Sequence, residues 1–233
     1  MKKWIFILAL GTVMGNNANA QRIQVGPEIG INFNKFHEDG PGRSADYDMR
    51  TGLKIGGIVD IGFSRNVSFQ PGLFYSSKGA SYDYTDIYTQ GGITYYEDGK
   101  TKIKANYLEI PMNIQFKFGY PRRARFFIGG GPYLAFAIGG EVETKYTRSY
   151  RAGGETIYFK DKDSYDLEIG DDPHYDDIKR SDLGLNLNAG VMMPRGFFLR
   201  ANAGIGLANV SPDDNYDTKN LGFSLTAGFL FGR

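Results

Sequence analysis

The strongest constraint on this chain is an alternation of apolar and polar side chains that recurs in eight segments between residues 23 and 231. In the second segment the apolar positions are Leu53, Ile55, Val59, Ile61 and Phe63, and in the eighth they are Leu221, Phe223, Leu225, Ala227, Phe229 and Phe231. Successive side chains of a β-strand point to opposite faces, so a period of two indicates strands with one apolar face. The sequence therefore predicts an all-β fold of eight strands.

The polar faces of these segments consist largely of Gly, Asn, Ser and Thr, with a few charged residues. A soluble β-barrel or sandwich, such as a lipocalin-like ligand carrier, would turn a charged face towards water and its apolar face inwards. A crowded polar interior inside an apolar exterior is typical of a barrel that crosses a membrane. We therefore expect the polar faces to line a lumen, with the soluble barrel as the competing fold.

The connections between the segments alternate in length. The short connections are 64–66, 119–124 and 194–196, and the long ones are 36–49, 77–102, 140–180 and 211–220. Outer-membrane barrels have short periplasmic turns and longer extracellular loops. The prediction is an eight-stranded antiparallel up-and-down transmembrane β-barrel with four long extracellular loops, in which both chain ends lie on the short-turn side.

The first 20 residues are typical of a cleaved signal peptide. Lys2 and Lys3 precede an apolar stretch, 4–14, that is too short to span a bilayer, and the sequence Ala-Asn-Ala at 18–20 matches the small-residue cleavage signal. An N-terminal anchor helix is the alternative. We expect export and cleavage before Gln21, which leaves residues 21–233 as a single outer-membrane β-barrel domain.

Composition excludes several classes of protein. The chain has no Cys, which removes disulfides, thiolate metal sites and cysteine nucleophiles. A net charge of +1 gives no basic field that would attract nucleic acid. After residue 20 there is no long apolar run, so a helical membrane protein is excluded. No cofactor is expected.

Three motifs, VSFQPGLFYSSKG at 67–79, NYLEIPM at 106–112 and FFIGGGPYL at 126–134, resemble outer-membrane β-barrel proteins of Gram-negative bacteria. The resemblance is to the porin-family, PorT-like barrels and covers residues 21–233 apart from the long loops. It implies a place in the outer membrane and, through PorT, a part in protein secretion across that membrane. The chain departs from the family at its C-terminus, because Gly232 and Arg233 follow the last aromatic residue, Phe231.

Six charged residues fall on the inward face of the predicted barrel by parity: Glu28, Lys54, Asp60, Glu109, Lys117 and Arg200. An isolated buried charge is unfavourable, so these residues are expected to pair. They form either a salt-bridge network that plugs the barrel or a gate for ions and small solutes. The lumen of eight strands is filled by side chains, which favours the plug.

An acidic loop at 171–177 offers a second candidate site, with the possible metal ligands Asp171, Asp172, His174, Asp176 and Asp177. Calcium prefers such carboxylate oxygens. The spacing matches no EF-hand, which requires ligands at fixed positions and a turn Gly. A solvated loop is the favoured interpretation, and a metal site is the weak alternative.

The loops 77–102 and 140–180 are rich in Tyr and charged residues. Tyr favours contact surfaces, but it also favours strands, so the loops are either docking surfaces or strand extensions above the membrane. A hydrolase or acyltransferase at the barrel rim would need a Ser and a His, and the only candidates, His37 and His174, lie in long loops without a Gly-x-Ser-x-Gly motif.

These features favour a non-enzymatic barrel with a structural, secretion-accessory or assembly-accessory role. We expect it to be surrounded by outer-membrane lipid and lipopolysaccharide and to bind an envelope protein partner through loops 77–102 and 140–180. The alternatives are a narrow porin for ions or small solutes and a rim hydrolase or acyltransferase. A nucleic-acid partner is not expected.

Overall fold

The computed structural model describes residues 22–40, 43–120, 123–152 and 155–232, so the predicted signal peptide at 1–20 lies outside the described residues. One 3-10 turn, Pro194–Gly196, joins two of the strands. The strands are β1 (Arg22–Gly40), β2 (Arg43–Asp46), β3 (Asp48–Gly62), β4 (Val67–Gln90), β5 (Ile93–Phe118), β6 (Arg125–Ala152), β7 (Glu155–Asp166), β8 (Ser181–Met192), β9 (Phe197–Gly206) and β10 (Asp217–Phe229).

Eight of these strands form a closed antiparallel ring. Neighbours follow the order β1, β3, β4, β5, β6, β8, β9, β10, and β10 pairs with β1 from Glu28 opposite Gly228 to Asp39 opposite Asp217. The short strand β2 pairs with the end of β1, and β7 pairs with β6. The predicted eight-stranded antiparallel up-and-down barrel is confirmed, with β2 and β7 as additions at its long-loop end.

The ring turns its apolar face outwards. In β8, Leu187 is 63% exposed and its neighbour Asn188 is 2% exposed, and the same alternation runs along the other strands of the ring. Polar side chains therefore fill the interior, which is the reverse of a soluble barrel. The outer surface is an apolar band of the kind that lipid surrounds in outer-membrane barrels. None of the helical segments within the described ranges is long and apolar enough to cross a membrane.

The segments 77–102 and 140–180, for which the sequence left loop and strand extension open, are chiefly strand extensions. The pairing of β3 with β4 reaches Ser81, but β4 and β5 continue as a hairpin to a turn at Gly91 and Gly92. These two residues have φ angles of 61° and 80°, the left-handed pair that a two-residue hairpin turn requires. On the other side of β5, β6 and β7 form a second hairpin. Together the four strands build a sheet that rises above the ring.

The inward aromatic rings near the short turns pack over glycines of the barrel wall. Phe74, Phe127 and Phe198 belong to a buried apolar cluster together with Ile58 and Leu230. A Cβ atom added at Gly56 would overlap the carbonyl oxygen of Leu73 and would lie 2.7 Å from Cδ1 of Phe74. The wall therefore needs Gly at this position to make room for the neighbouring strand's backbone and for the ring.

The adjacent glycine gives a matched control for this packing. We expect Gly56→Ala to lower the free energy of unfolding by about 1–3 kcal/mol, because it overpacks the lumen. A Cβ at Gly57 would meet nothing closer than the carbonyl oxygen of Gly26 at 3.5 Å, so Gly57→Ala should be tolerated. Urea unfolding in lipid vesicles, followed by far-UV circular dichroism, measures both. Equal losses in the two variants would show that the inward ring does not set the requirement for Gly56.

Candidate functional site

In the part of the lumen near the short turns, both carboxylate oxygens of Asp60 accept hydrogen bonds. Lys117 Nζ donates to Oδ1 and Oδ2 of Asp60 at 2.6 and 2.7 Å. Ser68 Oγ and Gln70 Nε2 donate to Oδ2 at 3.0 and 2.8 Å. The hydrogen bonds replace the water that a buried carboxylate loses, so this pair is stable inside the barrel.

A second pair lies beside it. Arg200 Nη1 donates to Glu28 Oε2 at 2.9 Å, and Thr226 Oγ1 donates to Glu28 Oε1 at 2.6 Å. Arg200 also donates to Gln70 Oε1, which joins the two pairs into one network. The guanidinium lies over the rings of Phe127 and Phe198, with 5.6 and 5.1 Å to the centroids. The hydrogen bonds and the two rings together hold the guanidinium of Arg200 in a fixed plane.

A third group lies closer to the long loops. Glu109 accepts from Lys54 Nζ at 2.7 Å and from Lys78 Nζ at 3.0 Å. Lys78 also pairs with Asp182 at 3.4 Å. The Asp182 carboxylate accepts further hydrogen bonds from Tyr133 Oη at 3.1 Å and Asn220 Nδ2 at 3.0 Å. The chain of contacts crosses the lumen from β3 to β10.

The structure thus places all six charged residues predicted from parity inside the barrel and brings them together in pairs. It adds Lys78 and Asp182, which the sequence analysis did not count. Lys78 was assigned to a long loop, whereas the even-numbered parity of β4 continues through Ser76 to this position. Extending the alternation past the expected end of the strand would have identified it.

The lumen is electrically balanced and closely filled. Among the described residues the buried charged side chains are four cations and four anions: Lys54, Lys78, Lys117 and Arg200, and Glu28, Asp60, Glu109 and Asp182. Two voids between them, of about 20 and 10 Å³, provide room for about one water molecule each. The arrangement can hold the wall together, and these two spaces between its charged groups are small.

The acidic loop uses its carboxylates on its own backbone. Asp176 Oδ2 accepts from the backbone N–H of Asp172 at 2.8 Å, and Asp172 Oδ1 accepts from that of His174 at 2.9 Å. Asp177 Oδ2 accepts from the backbone N–H of Glu168 at 2.9 Å. No group of three or more His, Asp or Glu residues that could hold a metal ion occurs in the part of the chain that the structure describes. These side chains therefore fix the loop conformation.

The two histidines lie in separate parts of the long-loop end. His37 is on β1, where its Nε2 atom is 3.4 Å from Asp39 Oδ2, and His174 is in the loop between β7 and β8. Each is thus involved in local contacts of its own segment.

An aromatic ladder crosses the projecting sheet. Tyr88 stacks on Tyr95 with 5.3 Å between ring centroids, Tyr95 lies 5.3 Å from Tyr150, and Tyr150 stacks on Phe159 at 6.0 Å. The four rings come from β4, β5, β6 and β7 in order. Cross-strand aromatic pairs stabilise a sheet by roughly 0.2–1 kcal/mol each. The ladder therefore stiffens the sheet where it has left the ring.

Charged groups tie the outermost strand to this sheet. Glu143 on β6 accepts from Lys162 on β7 at 2.6 Å and from Lys145 at 3.0 Å. Hydrogen bonds from Lys162 and Lys145 lower the pKa of Glu143 to about 2. Arg148 donates two hydrogen bonds to Glu97, at 3.0 and 2.8 Å.

Strand β7 forms an open edge of the sheet. All twelve of its residues are exposed, and within the described ranges it pairs with β6 alone. Three consecutive large side chains, Ile157, Tyr158 and Phe159, are exposed on it. An edge of this kind presents unpaired backbone N–H and C=O groups that can pair with another strand.

Comparison with known proteins gives a family and a set of similar folds. The family described as outer membrane protein beta-barrel domain matches residues 16–211. No match was found among curated proteins. Among solved structures, the attachment invasion locus protein Ail of Yersinia pestis is 14% identical with a TM-score of 0.36, over 88% of this chain and 98% of that chain.

Two further solved structures are similar to a comparable extent. The N-terminal β-barrel domain of Pseudomonas aeruginosa OprF is 12% identical with a TM-score of 0.33, over 91% of this chain and all of that chain (100%). The outer membrane protease OmpT from Escherichia coli is 11% identical with a TM-score of 0.35, over 93% of this chain and 99% of that chain.

Proposed function

Because the chain belongs to the outer membrane protein β-barrel domain family, we propose that it is a non-enzymatic barrel that holds a β-sheet above the outer membrane for docking an envelope protein. Its role is structural, or accessory to secretion or assembly, as its resemblance to PorT-like barrels of Gram-negative bacteria implies. The proposal includes export through a signal peptide cleaved before Gln21. It also includes a shell of outer-membrane lipid and lipopolysaccharide around the apolar outer face.

The open edge of β7 is the observation that carries this proposal. A strand whose twelve residues are all exposed would promote aggregation unless it were protected or used. Its charged half, from Lys160 to Asp163, protects one part of the edge. The other half, Ile157 to Phe159, is apolar and aromatic, as in surfaces that bind partners. An extended segment of another protein would add to this edge as a fifth strand.

The sheet below the edge is rigid enough to serve as a platform. Main-chain pairing of β4 with β5 runs without interruption from Gln90 opposite Ile93 down to Phe74 opposite Glu109. The aromatic ladder connects all four strands, so little conformational entropy is lost when a partner strand binds. This preorganisation favours docking over a role as mobile loops.

The lumen also supports a barrel that anchors the protein and a sheet that binds the partner. Its charges are paired and the two voids among them admit about one water molecule each, so the barrel wall serves as an anchor for the sheet. This supports a function at the surface outside the membrane.

The test removes the sheet and leaves the barrel intact. Residues 84–99 and 147–160 are each replaced by Asn-Gly, which forms a two-residue hairpin turn. Asp83 remains opposite Lys100 and Tyr146 remains opposite Asp161. The ring and the part of the projecting sheet next to it therefore keep their register. In the native bacterium, we expect the shortened barrel to reach the outer membrane in normal amount and to lose both its co-purifying envelope protein and its phenotype.

A photo-reactive residue at Tyr158 locates the contact, and one at Leu187 is the matched control. Both side chains are more than half exposed, but Tyr158 lies on the β7 edge and Leu187 on the apolar band. We expect one discrete protein adduct at Tyr158 and none at Leu187. Full retention of partner and phenotype after removal of both hairpins would refute the docking proposal.

A further inference from the structure

A cavity of about 230 Å³ opens at the long-loop end of the barrel, below the projecting sheet. Strands β1, β4, β5, β6, β7 and β10 line it, together with Tyr47 and the segments that follow β7 and β9. Its floor is apolar and is formed by Phe36, Ile103, Val142, Leu167, Ile178 and Val210. A cavity of this size and character fits the apolar part of a small ligand.

Aromatic side chains form the wall of this cavity. The ring of Tyr47 lies edge-on to Phe36, with 6.3 Å between centroids, and edge-on to Tyr82 at 5.6 Å. Tyr165 on β7 contributes a further ring to the lining. The faces of aromatic rings carry partial negative charge and attract cations.

The only charged side chains among the described lining residues are two carboxylates, Glu38 and Asp177. Glu38 Oε2 accepts a hydrogen bond from Tyr47 Oη at 3.2 Å, which fixes the acid next to the aromatic wall. Burial and the neighbouring carboxylate of Asp177 raise the pKa of Tyr165, as expected where the local potential is negative. No Lys, Arg or His among the described lining residues offsets these charges.

We propose that this cavity binds a small organic ammonium ion that carries an apolar arm. The arm would fill the floor, and the ammonium group would lie against the tyrosine rings, where cation–π attraction and the two carboxylates act together. This pairing of aromatic faces with acids suits a quaternary or substituted ammonium better than a bare metal cation, because the described residues include no group of three or more His, Asp or Glu that could hold a metal ion. Apart from Tyr165, none of the described lining residues lies on β7, and Tyr165 lies beyond the Ile157–Phe159 part of the edge, so this proposal does not depend on the docking proposal.

Three small molecules test the chemistry with the full chain in a non-ionic detergent, by isothermal titration calorimetry. Benzyltrimethylammonium has both the charge and the apolar arm, choline has the charge, and 3,3-dimethylbutan-1-ol is the neutral isostere of choline. We expect benzyltrimethylammonium to bind most tightly and the neutral alcohol to bind about tenfold or more weakly than choline. Phosphocholine distinguishes a lipid headgroup from a free ammonium, since the carboxylates should repel its phosphate and weaken binding.

The double variant Glu38→Gln/Asp177→Asn removes the charge and keeps both side chains as hydrogen-bond acceptors for Tyr47 Oη and the backbone of Glu168. We expect it to bind benzyltrimethylammonium about tenfold or more weakly. The control is Glu155→Gln/Asp161→Asn, which removes two exposed charges from β7, outside the cavity. Circular dichroism melting verifies that all variants fold.

Three results would overturn the proposal. The first is equal binding of choline and its neutral isostere, which would mean that the cavity takes any apolar molecule. The second is unchanged affinity in Glu38→Gln/Asp177→Asn with an intact fold. The third is that benzyltrimethylammonium at about 10 mM gives no heat of binding and that choline does not compete with it. This concentration would detect even millimolar affinity.

Discussion

Replacing Glu109 with Gln is expected to lower the free energy of unfolding by about 3–5 kcal/mol. The carboxylate of Glu109 lies 2.7 Å from Lys54 Nζ and 3.0 Å from Lys78 Nζ. Without it, among the residues that the structure describes, Lys54 keeps no salt-bridge partner and Lys78 keeps only Asp182. Because the void beside Lys54 and Lys78 has room for only about one water molecule, water replaces little of the lost charge. Urea unfolding in lipid vesicles, followed by far-UV circular dichroism, measures the loss.

The double variant Lys54→Met/Glu109→Gln is the matched control, since it removes one charge of each sign and keeps the lumen neutral. It should recover most of the lost stability, because an apolar side chain of similar length fills the place of Lys54 beside Phe74. Glu155→Gln on the exposed β7 strand should change stability by no more than about 0.5 kcal/mol. A Glu109→Gln variant as stable as the wild type would show that these charges are solvated.

Replacing Leu187 with Arg is expected to destabilise the membrane-inserted barrel by about 2–4 kcal/mol. Leu187 is 63% exposed in the middle of β8, between Gly130 and Ala203 of the neighbouring strands. In a soluble protein an exposed Leu tolerates Arg, because the guanidinium enters water. Here the surrounding medium is hydrocarbon, so the charge must deform the bilayer or reach its surface. The same unfolding assay in vesicles measures the effect.

Tyr158→Arg is the matched substitution above the membrane. Tyr158 is 67% exposed, as much as Leu187, but lies on the projecting sheet. It should accept Arg with a change of about 0.5 kcal/mol or less. Equal tolerance of Arg at both positions would mean that the apolar face does not meet lipid.

The sequence alone predicted the barrel because the alternation carries two kinds of information. It fixes the strands, and it fixes which face each side chain occupies. Glu28 and Asp60 were predicted to point inwards from parity alone, and they do so in the structure. Parity depends only on neighbours along the chain, so it needs no knowledge of the tertiary fold.

That these charges would pair was expected, but which residue pairs with which could not be predicted, because it depends on the register between strands. Glu28 and Arg200 are 172 residues apart in sequence and meet only after β1 and β10 close the ring. Lys78 was missed because β4 continues well beyond the length that a membrane crossing needs. The carboxylate-lined cavity was missed as well, since Glu38 and Asp177 come from distant segments that the long-loop end brings together.

Electrical recording of the protein in planar lipid bilayers tests the central claim, that the barrel is an anchor whose lumen is closed by paired charges. Protein whose insertion is verified by protease protection is expected to show no steady openings, because about one water molecule fits each of the two voids among those charges. Steady ohmic openings whose size changes in Lys54→Met or Arg200→Gln would contradict the account and would identify the lumen as a narrow pore.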